Sequence, residues 1–115
     1  MLHLLRSAPT PEQVTEMLEF YSYIKLAVDI RREVLAGGGE MHADCEAVLL
    51  ENGSRQIDIW GADWRPKRNL VTFESLINIR PWDGNNGMEI ADAALRRKIE
   101  TIVRRIFDAE SPQNS

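Results

Sequence analysis

The sequence has little of the features that mark several specialised classes of protein. It holds one cysteine, Cys45, so no internal disulfide forms and a reducing cytoplasm is the expected compartment. No apolar run approaches the roughly 20 residues that a membrane span needs, and the apolar stretch before Pro9 is too short for a signal peptide. The net charge of −4 argues against bulk binding to nucleic acid or to an anionic membrane. We therefore expect neither as a partner.

What the sequence does contain is the composition of an ordinary globular domain. Its 115 residues are 43% hydrophobic and 28% charged, which suffices for one core. We predict a single α+β domain over residues 1–110. Residues 111–115 are mostly small and polar, and they are expected to form a disordered tail.

Two helices are indicated by their start signals. Thr10-Pro11-Glu12-Gln13 combines an N-cap, a proline in the first turn and a capping box, and it predicts a helix that ends near Ser22. Asp92 is the expected N-cap of a second, long helix. Its apolar residues recur at helical spacing from Leu95 to Phe107.

Between the helices, alternating apolar and polar residues predict an antiparallel sheet. We assign four strands in a meander, over residues 24–35, 41–51, 55–60 or beyond, and 70–80, with residues 3–6 as a short additional edge strand. The three glycines at 37–39 are expected to turn the chain, and Asn52-Gly53 is typical of a tight hairpin. With both helices packed on one apolar face, the fold is a two-layer α+β domain whose other sheet face is uncovered.

One segment of this sheet is compatible with two structures. Residues 44–51 also fit a short helix capped by Asp44 and stopped by Gly53. In that alternative His42 and Cys45 become neighbours. The Asn-Gly pair that follows favours the strand.

The strand interpretation places ionisable side chains on the uncovered sheet face. In a hairpin about the glycines Arg31 faces Asp44, whereas Asp29 faces Glu46 and needs a compensating cation, proton or ligand. The predicted binding residues of this face are Asp29, Arg31, His42, Asp44, Glu46, Asp58, Asn78 and Arg80.

Two kinds of ligand suit such a face. His42, Asp44 and Glu46 recur at every second residue, as metal ligands on a strand do, but the chain lacks a signature metal motif, so we predict neither a metal nor a cofactor. Arg31 and Arg80, with Asn78 on the same face, suit a small carboxylate or phosphate bound in fork geometry. The alternative is that the two arginines pair with Asp44, Glu46 or Asp58.

The best functional hypothesis is a small binding or self-association module, with a homodimer formed through the uncovered sheet face, because the sequence holds no constellation of catalytic specificity. Trp60, Trp64 and Trp82 would favour such contacts if they are exposed together, and Leu50, Trp60 and Leu76 would form an apolar patch on the uncovered face. One alternative is a hydrolase of an anionic or phosphorylated substrate, with Asp44 or Glu46 as base and Arg80 as clamp. Another is a nucleic-acid-associated accessory protein that uses the basic turn at residues 64–69.

Four stretches carry a resemblance to a known group of sequences. They are GGGEMHAD at residues 37–44, LLENGS at 49–54, IWGA at 59–62 and SLINIRP at 75–81. Together they resemble a small, uncharacterised prokaryotic domain family, a domain of unknown function, from residue 23 to the last helix. The resemblance implies a shared fold unit and brings no activity, cofactor or partner.

Overall fold

Three α-helices and five strands form the part of the chain that the structure, a computed structural model, describes: residues 1–109. The predicted tail at 111–115 lies outside the described residues. The helices are α1 (Pro11–Met17), α2 (His42–Glu51) and α3 (Ala93–Ile106). The strands are β1 (His3–Leu5), β2 (Ile24–Asp29), β3 (Val34–Gly37), β4 (Ile59–Arg65) and β5 (Leu70–Thr72). Single 3₁₀ turns occupy Gln56–Asp58, Pro66–Arg68, Leu76–Asn78 and Pro81–Asp83.

The strands form one antiparallel sheet in the order β1-β3-β2-β4-β5. β2 lies at the centre, where Ala27 pairs with Ala36 of β3 and with Gly61 of β4. The α+β class and the short N-terminal edge strand are therefore confirmed. The meander is wrong, because β3 and β4 follow each other in the chain but are separated in the sheet by β2, and because the predicted second strand is helix α2.

Both faces of the sheet are covered, so the described chain has three layers. On one face α1 and α3 pack against alternate residues of β2, with Met17 and Ile102 in the same core as Leu26. On the other face Cys45 and Leu49 of α2 join a second core with Ala27, Ala36 and Ile59. The predicted two-layer fold with an open polar face is corrected by this helix. None of the helices within residues 1–109 is long and apolar enough to cross a bilayer.

Residues 44–51 belong to helix α2, which corrects the strand assignment and its hairpin register. Asp44 helps to start the helix, because its Oδ2 accepts the Met41 N–H at 3.1 Å. Asn52 helps to end it by donating from Nδ2 to the Val48 carbonyl at 2.8 Å, and Gly53 follows at φ +96°. Asn-Gly is a helix stop here because its left-handed glycine serves a helix C-terminus as well as a hairpin.

The predicted long strand over residues 24–35 is instead a hairpin that turns at residues 30–33. Buried Asp29 holds the turn, because its Oδ1 accepts the N–H groups of Arg31 and Arg32 at 2.9 Å each. Its Oδ2 accepts the Ser54 hydroxyl at 2.6 Å, and Glu33 adopts φ +56°. The alternation of apolar and polar residues continues through the turn, so the sequence pattern gives no sign of it. The three glycines therefore connect β3 to α2 and do not form the hairpin.

The predicted strand over residues 70–80 is reduced to the three residues of β5, and the chain from 73 to 91 is mostly irregular. The side chain of fully buried Asn78 supplies hydrogen bonds in place of the missing backbone pairing between strands. Its Oδ1 accepts the Gly61 N–H at 2.8 Å, and its Nδ2 donates to the carbonyls of Gly61, Phe73 and Met88 at 3.0, 3.2 and 3.2 Å. Asn85 binds three further carbonyls of this segment in the same way. Two amide side chains thus hold the segment on β4.

The N-terminal ends of two helices follow the sequence prediction. Thr10 and Gln13 form the capping box of α1, with reciprocal distances of 2.9 and 3.1 Å. Asp92 caps α3 by accepting the Ala94 N–H at 2.8 Å. α1 nevertheless ends at Met17, before the predicted Ser22.

Candidate functional site

The predicted binding residues do not share a face, and most of them have structural partners. Asp29, Asp44 and Asn78 serve the turn, the helix start and the loop described above. Arg31 Nε lies 3.0 Å from Asp58 Oδ2, which also accepts from Arg55 at 2.9 Å. Burial by itself would raise the pKa of Asp58, but the two guanidinium donors outweigh it and hold that pKa below its ordinary value. These groups are therefore committed to the fold.

Glu46 and Arg80 are brought together at one pocket, which we call the Arg80 pocket. Its volume is about 390 Å³. It lies between α2 and the 3₁₀ turns, and its lining residues are Glu46, Gln56, Ile57, Leu76, Ile77, Ile79, Arg80, Trp82 and Asp83.

Arg80 is 4% exposed and is held from several directions. Its guanidinium lies 4.0 Å from the centre of the Trp60 ring, and it donates to the carbonyls of Ile77 and Ile57 at 3.3 and 3.2 Å. Nη2 is buried and has no hydrogen-bond partner within residues 1–109. Burial lowers the pKa of Arg80, opposed first by Asp83. A buried donor without a partner is uncommon in folded proteins and marks a candidate contact point.

Glu46 supplies the acidic group of the Arg80 pocket. Burial raises the pKa of this carboxyl, while Arg80 and a hydrogen bond from Gln56 act in the opposite direction. The predicted base and clamp thus line one pocket, but from a helix and a loop rather than from a sheet face.

The rim of the Arg80 pocket is apolar and exposed. Its large side chains are Ile57, Leu76, Ile79 and Trp82, with exposed fractions of 61, 65, 38 and 79%. In a strand that starts at residue 55, Ile57 would face inward on the same side as Ile59. The missed signal is the shift of β4 to Ile59–Arg65, which leaves Ile57 on the 3₁₀ turn before the strand.

A second pocket, the His42 pocket, lies at the start of α2 and has a volume of about 320 Å³. Its lining residues are Tyr23, Lys25, Met41, His42, Ala43, Asp63, Arg65, Glu74, Ser75, Leu76, Ile77 and Met88. The two pockets share Leu76 and Ile77 as a common wall.

The surroundings of His42 define its tautomer. Nε2 lies 2.8 Å from Asp63 Oδ1 and 3.1 Å from the Ala62 carbonyl oxygen. Because an ionised carboxylate and a carbonyl only accept hydrogen bonds, Nε2 carries the hydrogen. In the neutral imidazole the lone pair is then on Nδ1, which has no hydrogen-bond partner in the described part of the chain. His42 therefore offers an acceptor to a ligand.

A hydrogen-bond chain across the sheet holds this imidazole in place. Asp63 Oδ2 accepts the Thr72 hydroxyl at 3.2 Å, and the Thr72 oxygen accepts from Arg65 Nε at 3.3 Å. Asp63 is 4% exposed and binds on both oxygens. A carboxylate that orients a histidine in this way is the arrangement by which enzymes and binding sites fix one ring nitrogen for use.

Two of the residues that line the His42 pocket are cations that lie over stacked tyrosine rings. Lys25 Nζ is 4.6 Å from the Tyr21 ring centre, and the Arg65 guanidinium is 4.1 Å from that of Tyr23. Among residues 1–109 neither cation forms an ion pair with a carboxylate. Glu74 also lines this pocket, so its rim carries both signs of charge.

The sequence missed Lys25, Asp63 and Arg65 as a group. Lys25 and Asp63 are cross-strand partners, and that register becomes visible only when β4 extends to Arg65. The proposed metal geometry at His42, Asp44 and Glu46 is absent, since these residues lie on a helix and serve different partners. Within residues 1–109 no three histidine, cysteine, aspartate or glutamate side chains converge as a metal site would require.

Comparison with known proteins gives one match. A family model described as a protein of unknown function (DUF5674) matches residues 3–106. No curated protein and no solved structure matches the chain.

Proposed function

Because the chain belongs to the DUF5674 family, whose description names no activity, we propose from geometry alone that it is a small binding module that self-associates through the rim of the Arg80 pocket. This surface replaces the sheet face proposed from the sequence, since α2 covers that face. A reducing cytoplasm is the proposed compartment, supported by the single cysteine.

The observation that carries the proposal is the clustering of exposed apolar side chains around one pocket. Monomeric proteins rarely expose contiguous apolar patches of this kind, and larger ones mark interaction sites. Trp82 is 79% exposed, and tryptophan is enriched among residues that dominate binding energy.

A second copy of the chain is the partner that this surface fits best. The lining holds Glu46 and the buried Arg80 among exposed apolar residues, so this surface has no large excess of either charge. A two-fold axis therefore sets it against its own copy without bringing strong like charges together. A strongly charged partner would find no matching excess of charge here.

The energy of such a contact suggests a weak dimer. Complete burial of a large apolar side chain contributes about 1.5–3 kcal/mol, and the four rim residues are already partly buried. Two copies together would gain on the order of 10 kcal/mol from them. Association costs about 4–15 kcal/mol in lost freedom. At the low end of that cost about 4–6 kcal/mol remain, which corresponds to dissociation constants from some tens of micromolar to about a millimolar.

Sedimentation velocity over a concentration series tests the proposal. The wild-type chain should approach the dimer mass at high concentration, and Trp82→Ser should remain monomeric. Phe20→Ser is the matched control, because Phe20 is 46% exposed but does not line the pocket; it should behave as wild type. A wild-type monomer at about 1 mM, the weak end of the expected range, or equal effects of the two substitutions, would contradict the proposal.

A further inference from the structure

We infer that the His42 pocket is a binding site for a small organic anion that carries a hydroxyl group close to its anionic group. The relevant class includes short hydroxycarboxylates and phosphorylated polyols. The inference goes beyond self-association, because it concerns another pocket, whose polar groups Lys25, His42 and Arg65 do not line the Arg80 pocket.

The anionic group of the ligand is inferred from the two cations that line the pocket, Lys25 and Arg65. Lys25 and Arg65 rest on tyrosine rings and are not ion-paired with a carboxylate in the described chain. A guanidinium with free donors suits a carboxylate or a phosphate. Two acids line the same pocket. Asp63 already binds His42 and Thr72, and Glu74 offsets only one of the two cationic charges.

The hydroxyl follows from the tautomer of His42. With its hydrogen on Nε2, the neutral ring presents a lone pair at Nδ1 that requires a donor. A carboxylate or a fully ionised phosphate has none, so a ligand with only an anionic group leaves this nitrogen unsatisfied. A hydroxyl one or two carbons from the anionic group supplies the donor.

The remaining walls restrict the size of the ligand. Met41, Leu76, Ile77 and Met88 line the pocket and favour a short carbon skeleton between the two polar ends. The volume of about 320 Å³ is at the lower end of the range for small-molecule sites, roughly 300–1,000 Å³. Long polymers and large cofactors do not fit this description.

Two-dimensional ¹H–¹⁵N NMR of the full chain tests the inference with four named probes. Glycolate and glycerol 3-phosphate carry the hydroxyl, and acetate and propyl phosphate are their hydroxyl-free counterparts. The ligand-free spectrum should show His42 as the Nε2–H tautomer. At least one hydroxylated probe should shift the ring nitrogens of His42 and bind about tenfold more tightly than its counterpart, which is the usual loss for an unpaired site acceptor. The carboxylate and phosphate arms separate the two sources of negative charge.

Three substitutions identify the groups responsible. Arg65→Gln should weaken binding of either hydroxylated probe at least tenfold, and His42→Phe should abolish the preference for the hydroxyl. Arg97→Gln is the control, because it makes the same charge change at an exposed position of α3 outside the pocket; it should change nothing.

The inference is overturned if none of the four probes shifts His42, if the hydroxyl makes no difference to wild-type binding, or if Arg97→Gln weakens binding as much as Arg65→Gln. The comparison of probes on the wild-type chain decides the matter even if His42→Phe fails to fold. Failure here leaves the sedimentation result untouched, since Trp82 does not line the His42 pocket.

Discussion

Replacing Asn78 by aspartate should destabilise the domain severely while changing almost nothing in its shape. The carboxylate can still accept the Gly61 N–H, but it cannot donate to the three carbonyls that Asn78 Nδ2 reaches at 3.0–3.2 Å. The Phe73 and Met88 carbonyls keep the backbone N–H groups of Ile90 and Ser75, each at 3.1 Å. Each lost hydrogen bond still costs about 0.5–1.5 kcal/mol, and an uncompensated buried charge costs about 3–5 kcal/mol. The total is on the order of 5 kcal/mol, a large part of the roughly 5–15 kcal/mol that stabilises a domain.

Asn86→Asp is the matched control, because Asn86 is exposed on the same loop. Urea unfolding followed by tryptophan fluorescence measures both variants, and thermal melts should show Asn78→Asp lowered by on the order of 15 °C. If the two variants unfold within about 1 kcal/mol of each other, a difference typical of ordinary surface changes, then Asn78 is not the residue that holds residues 73–91 on β4.

The same variant carries a pH signature. A carboxyl buried against carbonyl oxygens disfavours its charged form, so its pKa is higher in the folded than in the unfolded state. Its contribution to stability is then fully present below the unfolded pKa and is lost as the pH rises through the folded pKa. The deficit of Asn78→Asp relative to wild type should therefore be smaller near the ordinary aspartate pKa of about 4 than at neutral pH, and a deficit that grows on acidification would refute the reasoning.

Three further results are expected. Gly61→Ala should lower the free energy of unfolding by about 1–3 kcal/mol, because its methyl group would overlap Ser75, whereas Gly87→Ala has open space and should be close to neutral; equal effects in urea unfolding would exclude that overlap. Burial raises the pKa of Cys45 to about 11, so its thiol should resist alkylation in the native state and react on unfolding, and rapid native labelling at neutral pH would contradict this. Burial raises the pKa of Glu46, so the contribution of this carboxyl to stability is present below its unfolded pKa and is lost as the pH rises through its folded pKa. Glu46→Gln should therefore reduce the change of unfolding free energy with pH just above the ordinary glutamate pKa. An unchanged pH profile of that free energy would count against the shift.

The helix starts were predictable because their chemistry is local. Thr10 and Gln13 form one capping box, and Asp92 caps α3 through Ala94. In each case the bonded residues lie within four positions of each other, so the sequence shows all of the participants. The α+β class follows from these helices and from the alternation between them.

The turn after β2 was not predictable, because it depends on a residue far away in the chain. Asp29 reads as an exposed polar residue in an alternating strand, yet the hydroxyl of Ser54 binds it across 25 positions. α2 was ambiguous for a similar reason. This helix packs on Ala27 and Ala36 through only two buried side chains, Cys45 and Leu49. Two buried positions are too few for the hydrophobic periodicity of residues 42–51 to distinguish a helix from a strand.

The candidate sites could be predicted from the sequence only in part, because they too depend on contacts between distant residues. Glu46 and Arg80 were named from their charges, but their common pocket depends on α2 and on the loop that Asn78 holds. Lys25 and Asp63 were missed as partners because β2 was predicted to pair with residues 41–47, whereas it pairs with β4, which continues to Arg65.

Both edge strands of the sheet, β1 and β5, are only three residues long. A peptide that joins a sheet as an extra strand needs a row of free main-chain groups along an edge, and these edges offer a short one. Short edges also protect a protein against unwanted edge-to-edge pairing with other chains. The self-association that we propose would therefore depend on the side chains that the surface displays, and single substitutions there should alter it while the backbone stays the same.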